Sequence, residues 1–145
     1  MFHIDLYNAR TGEKSQTMRH ASYTMGLAFS PDGSKIASAP RGNINKLLAV
    51  FDIAKATMLF HAGPFACYVH GGVFTPDGQR IISTACKKVP SLQMFDATTG
   101  EVVFALTRAA TGKKPALSRD GRLLGWSVRG GFQFLDLGQK SRADK

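Results

Sequence analysis

The stretch LAFSPDGSKIAS, residues Leu27–Ser38, decides the fold because the chain repeats it. A near copy, GVFTPDGQRIIS, occupies Gly72–Ser83, and a third copy, PALSRDGRLLGWS, occupies Pro115–Ser127. The aspartates of the three copies are separated by 45 and 43 residues. In the PDG triplet proline presets φ for a tight turn, aspartate bonds the backbone ahead of it, and glycine accepts a positive φ. Each copy is therefore predicted to form two strands joined by a turn.

A second marker recurs with the same period. Four pairs of a large apolar residue followed by Asp or Asn are separated by 44, 44 and 40 residues: Tyr7–Asn8, Phe51–Asp52, Phe95–Asp96 and Leu135–Asp136. Between the markers, short aliphatic and aromatic runs such as LLAVF and RIIST are bounded by Gly, Pro, Asp or Asn, as β-strands are. No segment carries a sustained helical period with caps at both ends. Two markers with one period indicate repeated β units of about four short strands each.

These units resemble the WD-repeat β-propeller family, close also to its bacterial YVTN-like variants, over Phe2–Leu137. His20 stands where the family has its Gly-His, nine residues before Phe29 of FSPDG, and the resemblance implies a structural role for it. The family's Trp-Asp pair is replaced by the apolar–Asp/Asn pairs above. Its aspartate between the second and third strands is absent from APRGNINK and ACKKVPS. The resemblance is therefore to a divergent propeller whose buried His–Ser–Asp–Trp network is incomplete.

The resemblance implies an all-β fold, a partial β-propeller of about three four-stranded antiparallel blades. Residues 1–137 would form about three and a quarter blades, and residues 138–145 a basic C-terminal tail. The chain is predicted to open on a third strand, Phe2–Tyr7, and a fourth, Ser15–Met18, before two full blades and three strands of another. Closed propellers have at least about four blades. We therefore expect completion by another chain, as an oligomer or hetero-complex, or a longer parent protein.

The composition is that of a soluble globular protein, with 43% hydrophobic and 20% charged residues. No run approaches the roughly 18 apolar residues of a membrane helix, and the first residues do not form a secretory signal. The two cysteines, Cys67 and Cys86, lack a CxxC spacing and are expected to be free buried thiols. A cytoplasmic protein without membrane contact is the resulting prediction.

Catalytic, metal-binding and cofactor-binding residues are not evident, and we predict a protein that is not an enzyme. His61, Cys67 and His70 match no common zinc spacing. The glycine pairs lack the strand–GxGxxG–helix context of nucleotide sites, and no serine lies in a GxSxG elbow. Trp126 is expected in the core. The alternative is a propeller hydrolase of the lactonase type, which resembles this chain only at the level of fold.

Charge is the most informative functional feature, since 19 Lys and Arg face 10 Asp and Glu, a net charge of +9. Alternating strands would sort these charges onto two faces. One face would carry the PDG turns with as many acids as bases. The other would carry cations without acids: Arg19, Arg41, Lys46, Lys87, Lys88, Arg108, Lys113, Lys114 and Arg129. This basic face is predicted to bind an acidic protein partner, with a nucleic-acid backbone as the alternative; the resemblance also implies docking on this face.

Overall fold

The regular structure of the described residues consists of β-strands. The computed structural model describes residues 2–20, 23–40, 48–63, 69–85, 92–106 and 113–138, without the side chains of Pro40 and Lys113. The strands are β1 Phe2–Tyr7, β2 Lys14–His20, β3 Thr24–Phe29, β4 Lys35–Pro40, β5 Leu48–Asp52, β6 Thr57–Ala62, β7 Val69–Phe74, β8 Arg80–Ala85, β9 Leu92–Asp96, β10 Val102–Leu106, β11 Lys113–Leu117, β12 Leu123–Val128 and β13 Gly131–Asp136.

These strands form four antiparallel sheets in which each strand pairs with its sequence neighbour. We call them the opening sheet (β1–β2), blade 1 (β3–β6), blade 2 (β7–β10) and blade 3 (β11–β13). The predicted partial propeller, with its sheets of two, four, four and three strands, is confirmed. The first strand has its predicted bounds, and the second extends beyond the predicted Ser15–Met18 at both ends.

The blades pack face to face, with one hydrophobic cluster at each junction. The inner strands β3, β7 and β11 contact one another in turn, and β4 and β8 each contact the inner strand of the following blade. The cluster between the opening sheet and blade 1 contains Ile4, Met18, Ile36 and Phe51. The cluster between blades 1 and 2 contains Leu48, Val50, Phe74 and Ile81. The cluster between blades 2 and 3 contains Ile82, Leu92, Leu124 and Trp126. Trp126 is buried, as predicted.

The inner strands approach so closely that one position in β3 has little room for a side chain. A Cβ atom added to Gly26 would lie 3.3 Å from the Cα of Gly71 and 3.3 Å from the carbonyl oxygen of His70 in β7. The pairing register shifts beside this position in each of the three inner strands, which marks a β-bulge in each. In β11 the equivalent residue is Lys114, with φ of 43°.

Each PDG-type turn is closed by a hydroxyl and a carboxylate. In the first turn Ser30 Oγ donates to Asp32 Oδ1 at 2.6 Å, and the Ser34 backbone N–H donates to the same oxygen at 3.0 Å. The Lys35 backbone N–H donates to Ser30 Oγ at 2.8 Å. Corresponding bonds join Thr75, Asp77, Gln79 and Arg80 in the second turn, and Ser118, Asp120, Arg122 and Leu123 in the third. The third turn has Arg119 in place of proline, so these bonds do not require it.

The proline of one turn instead packs on the glycine of the next. A Cβ added to Gly78 would lie 3.7 Å from Pro31 Cδ, and one added to Gly121 would lie 2.9 Å from Pro76 Cδ. At Gly33, in the first turn, an added Cβ would meet no atom within 4 Å among the described residues. The three glycines have φ between 70° and 75°, which confirms the predicted turn conformation.

Substitution of Gly33 and of Gly121 distinguishes the effect of backbone strain from the effect of packing between blades. Alanine at either position adopts an unfavourable left-handed conformation, which costs about 1–2 kcal/mol. At Gly121 it also collides with Pro76, and overpacking adds about 1–3 kcal/mol. We expect Gly121→Ala to lower the free energy of unfolding in urea more than Gly33→Ala does. Equal losses would show that the contact between turns contributes nothing to stability.

Candidate interaction surfaces

On the face that carries the PDG-type turns, which we call the turn face, several cations lie beside aspartates. Arg80 Nη1 lies 2.5 Å from Asp96 Oδ2, and Arg122 Nη2 lies 3.8 Å from Asp136 Oδ2. These aspartates belong to the second sequence marker. Strand register sets Asp96 opposite Arg80, and sets Asp136 opposite Leu123, the residue after Arg122. In blade 1 Lys35 Nζ donates instead to the carbonyl oxygen of Ala97, at 3.1 Å.

Hydrogen bonds in these turns also stabilise the ionised carboxylates. The Ser30 hydroxyl, followed by the backbone N–H and hydroxyl of Ser34, lowers the pKa of Asp32 to about 2. The Thr75 hydroxyl lowers the pKa of Asp77, and the Ser118 hydroxyl lowers the pKa of Asp120, by the same geometry. The turn aspartates are therefore structural acceptors, occupied by the turn itself.

The opposite face, which we call the loop face, lies where β2, β4, β8 and β12 end. Three of the predicted binding residues are exposed there: Arg19 near the end of β2, Lys114 near the start of β11, and Arg129 between β12 and β13. Within the described ranges, no acidic side chain lies within 4 Å of their charged groups. Lys113 begins β11, and the described structure omits its side chain. Five predicted residues and both cysteines lie outside the described residues: Arg41, Lys46, Lys87, Lys88, Arg108, Cys67 and Cys86.

A buried polar contact joins the strands near this face. His20 Nε2 lies 2.9 Å from Ser38 Oγ, which in turn lies 3.0 Å from Thr24 Oγ1. His20 is buried, and its ring lies near that of Phe51, with centroids 5.8 Å apart. The contact links the end of the opening sheet to the first two strands of blade 1, which agrees with the structural role expected of His20.

Apolar side chains are exposed at the trailing end of the arc, which the sequence analysis did not predict as a surface. Ile4, Leu48 and Leu92 occupy the same position in three successive third strands and are 7%, 0% and 1% exposed. The corresponding residue of blade 3, Phe132, is 73% exposed. Phe134, two residues along β13, and Leu123 of β12 are exposed as well. We call Leu123, Phe132 and Phe134 the trailing surface. Aligning the third strands would have revealed it.

The leading end of the arc shows the same contrast in the inner strands. Phe29 of β3 is 56% exposed, whereas Phe74, its counterpart in β7, is 8% exposed and packs in the cluster that contains Leu48. Leu27 alternates with half-buried neighbours and lies on the same side of β3 as Phe29, and Met25, beside the bulge, is exposed as well. We call Met25, Leu27 and Phe29 the leading surface.

A groove lies beside the leading surface, between β1 and β3. Strand β1 lines it with four consecutive residues, Phe2–Asp5, which include the polar side chains of His3 and Asp5, and the segment that includes β3 lines it with Tyr23, Thr24 and Leu27. The rings of Phe2 and Tyr23 lie 4.3 Å apart, centroid to centroid. The groove therefore joins an exposed apolar face to the edge of β1.

Neither a metal-binding cluster nor a membrane-spanning helix is present in the described part of the chain. It holds no group of three or more His, Cys, Asp or Glu side chains arranged to bind a metal ion. It also contains no helix with the length and hydrophobicity needed to cross a membrane.

Comparison with known proteins agrees with the fold. A chain of the hydrazine synthase of Kuenenia stuttgartiensis, a β-propeller-containing protein, is similar in structure, with a TM-score of 0.80 and 18% identity. The match covers 92% of this chain and 40% of that chain, so this chain spans less than half the length of the other. No protein-family model matches the sequence, and no curated protein matches it. At this identity the similarity concerns the fold alone.

The lowered pKa of the turn aspartates predicts loss of stability in acid. A carboxyl whose folded pKa lies below its unfolded value of 3.8 stabilises the fold above that value, and the stabilisation is lost as pH falls towards about 2. Asp32→Asn retains a side-chain oxygen acceptor without this titration. We expect its melting temperature to fall less steeply than that of the parent between about pH 4 and pH 2. Glu101→Gln is the charge-matched control. If the melting temperatures of the parent and of Asp32→Asn fell equally steeply with pH, the ionised Asp32 carboxylate would not stabilise the turn.

Proposed function

We propose that the chain is a non-catalytic interaction module of the divergent WD-repeat type, which binds an acidic protein through its loop face. The observation that carries this proposal is the different use of charge on the two faces. On the turn face, Arg80 and Arg122 lie beside aspartates of the same blade. On the loop face, Arg19, Lys114 and Arg129 are exposed without an acidic neighbour in the described ranges.

The two faces therefore differ in how strongly they attract an anionic partner. A cation that is already paired contributes little to the potential felt by an approaching anion, whereas unpaired cations of one sign attract it and speed association. Exposed ion pairs contribute only about 0–1 kcal/mol to stability, so the turn-face pairs serve to balance charge more than to stabilise the fold. The loop-face cations remain available for an acidic surface.

The class of partner follows from the flanking side chains. Single-stranded nucleic acid is bound by aromatic side chains that stack on bases, interleaved with cations. The loop-face segments contain three aromatic residues in the sequence, Tyr23, Phe65 and Tyr68. An acidic protein is therefore the better match, in keeping with a cytoplasmic, non-enzymatic module; contacts to a phosphate backbone are the competing outcome.

Charge reversal on one face tests the proposal. Fluorescently labelled poly-L-glutamate is the probe, titrated with the full chain at low and moderate salt. We expect the triple variant Arg19→Glu, Lys114→Glu and Arg129→Glu to weaken binding by about tenfold or more and to flatten its salt dependence. The control triple Arg10→Glu, Lys55→Glu and Arg119→Glu makes the same change in net charge on the turn face.

Comparison of the two triple variants shows whether binding depends on the loop face or only on the net charge of the protein. Equal weakening by both would contradict binding through the loop face. A duplex DNA of matched charge serves as a second probe. Tighter binding of the DNA than of poly-L-glutamate at equal salt, with the same dependence on Arg19, Lys114 and Arg129, would replace the acidic protein with nucleic acid as the partner.

A further inference from the structure

The groove between β1 and β3 corresponds to the place that the second strand of a blade occupies in blades 1 and 2. In blade 1, β4 pairs with β5 and contacts β7 of the next blade. In blade 2, β8 pairs with β9 and contacts β11. At the leading end, β1 corresponds to β5 and β9, and β3 corresponds to β7 and β11. Within residues 2–138, as far as they are described, β1 pairs only with β2.

The exposure of the inner-strand phenylalanines depends on whether a second strand lies beside them. Phe74 lies on the inner strand beside the second strand of blade 1 and is 8% exposed, while Phe29 lies beside the groove and is 56% exposed. Leu27, on the same side of β3, is also exposed. Burial of apolar side chains is favourable in proportion to the apolar area removed from water, so an occupant that covers Leu27 and Phe29 would be stabilised by apolar contact.

The occupant must be a hairpin for a geometric reason. In both complete blades the second strand pairs on one edge with the third strand and on the other with the first, to which a PDG turn joins it. A single strand added to β1 would leave its own inner edge unpaired, the edge that β3 and β7 cover for the second strands of blades 1 and 2. A β-hairpin satisfies both edges, with its second strand against β1 and its first strand on the inner side.

The chemistry of the occupant follows from the strands that fill the equivalent positions, KIASAP in β4 and RIISTA in β8. Each alternates aliphatic or small residues around a buried serine; Ser38 bonds Thr24, and Ser83 Oγ donates to the carbonyl oxygen of Gly71 at 2.5 Å. Each begins with a cation placed opposite an aspartate by the strand register. The opening sheet has Asn8 at that marker position, so the occupant does not need the leading cation.

We propose that this groove binds a β-hairpin of this chemistry from a partner polypeptide, by strand addition to the free edge of β1. Main-chain hydrogen bonds to β1 would supply affinity, and apolar contacts with Leu27 and Phe29 would supply selectivity. A second copy of the chain is a poorer source. Its β3–β4 and β7–β8 hairpins are each paired within a complete blade, and release of β11–β12 would break the pairing of β12 with β13.

The test uses a synthetic peptide that copies residues 69–85, the β7–β8 hairpin, with a fluorescent label. We expect saturable binding to the full chain by anisotropy. A peptide with Ile82→Pro loses a backbone N–H at the centre of the added strand and should bind about tenfold more weakly or worse. On the protein, Leu27→Lys should weaken binding by about tenfold, since it places a charge in the groove. Phe134→Lys, at the trailing surface, is the matched control and should change affinity by less than about twofold.

Thermal melting of each variant establishes that it folds, and four results would overturn the proposal. Equal affinity of the Ile82→Pro peptide, or equal weakening by Leu27→Lys and Phe134→Lys, would indicate non-specific adsorption. No saturable binding up to about 1 mM peptide would exclude the site. Sedimentation of the chain alone that shows a dimer lost in Leu27→Lys would identify a second copy as the occupant. None of these results depends on the charges of the loop face, so they leave the proposed function separately testable.

Discussion

Packing of each blade face against the next blade is the constraint on which the structure depends. A propeller sheet has apolar residues on both faces, and neither face is buried by its own strands. Leu48 and Leu92 are fully buried because inner strands of blades 2 and 3 lie over them, whereas Phe132, at the same repeat position, is exposed. Burial therefore depends on position along the arc as much as on residue type, as in other repeat proteins whose units contact only their neighbours.

The PDG-type turns also take part in the packing between consecutive blades. Each one is closed locally by a hydroxyl and a carboxylate, so a turn forms whether or not proline is present. Pro31 and Pro76 lie close to the glycines of the following turns and so bring consecutive blades into register. Arg119 replaces proline in the last turn. Local hydrogen bonds thus determine the shape of each hairpin, and the contact between turns relates one blade to the next.

The functional surfaces differ in how they arise. The turn face has its acids assigned to the repeat, where they accept backbone and hydroxyl bonds and pair with Arg80 and Arg122. The repeat imposes no acids on the loop face, which leaves exposed cations there. The leading and trailing surfaces arise for a third reason, because they are blade faces that no described strand covers. The proposed acidic partner and the proposed hairpin would therefore engage separate parts of the molecule, one by long-range charge and the other by apolar contact and strand pairing.

The repeat, the strand order and the turns could be predicted from the amino-acid sequence, because PDG and the apolar–Asp pairs act through bonds between residues close in the chain. The sequence also indicated the positions of His20 and Trp126. The bulges of the inner strands, the contact of Pro76 with Gly121 and the exposure of Phe29 and Phe132 were decided only by tertiary structure. In each case the determining neighbour lies about one repeat away in the chain, and a residue such as Phe132 looks like Leu92 until the presence or absence of a covering blade is known. Local hydrogen bonds can be read from sequence, but burial depends on what packs across the junction.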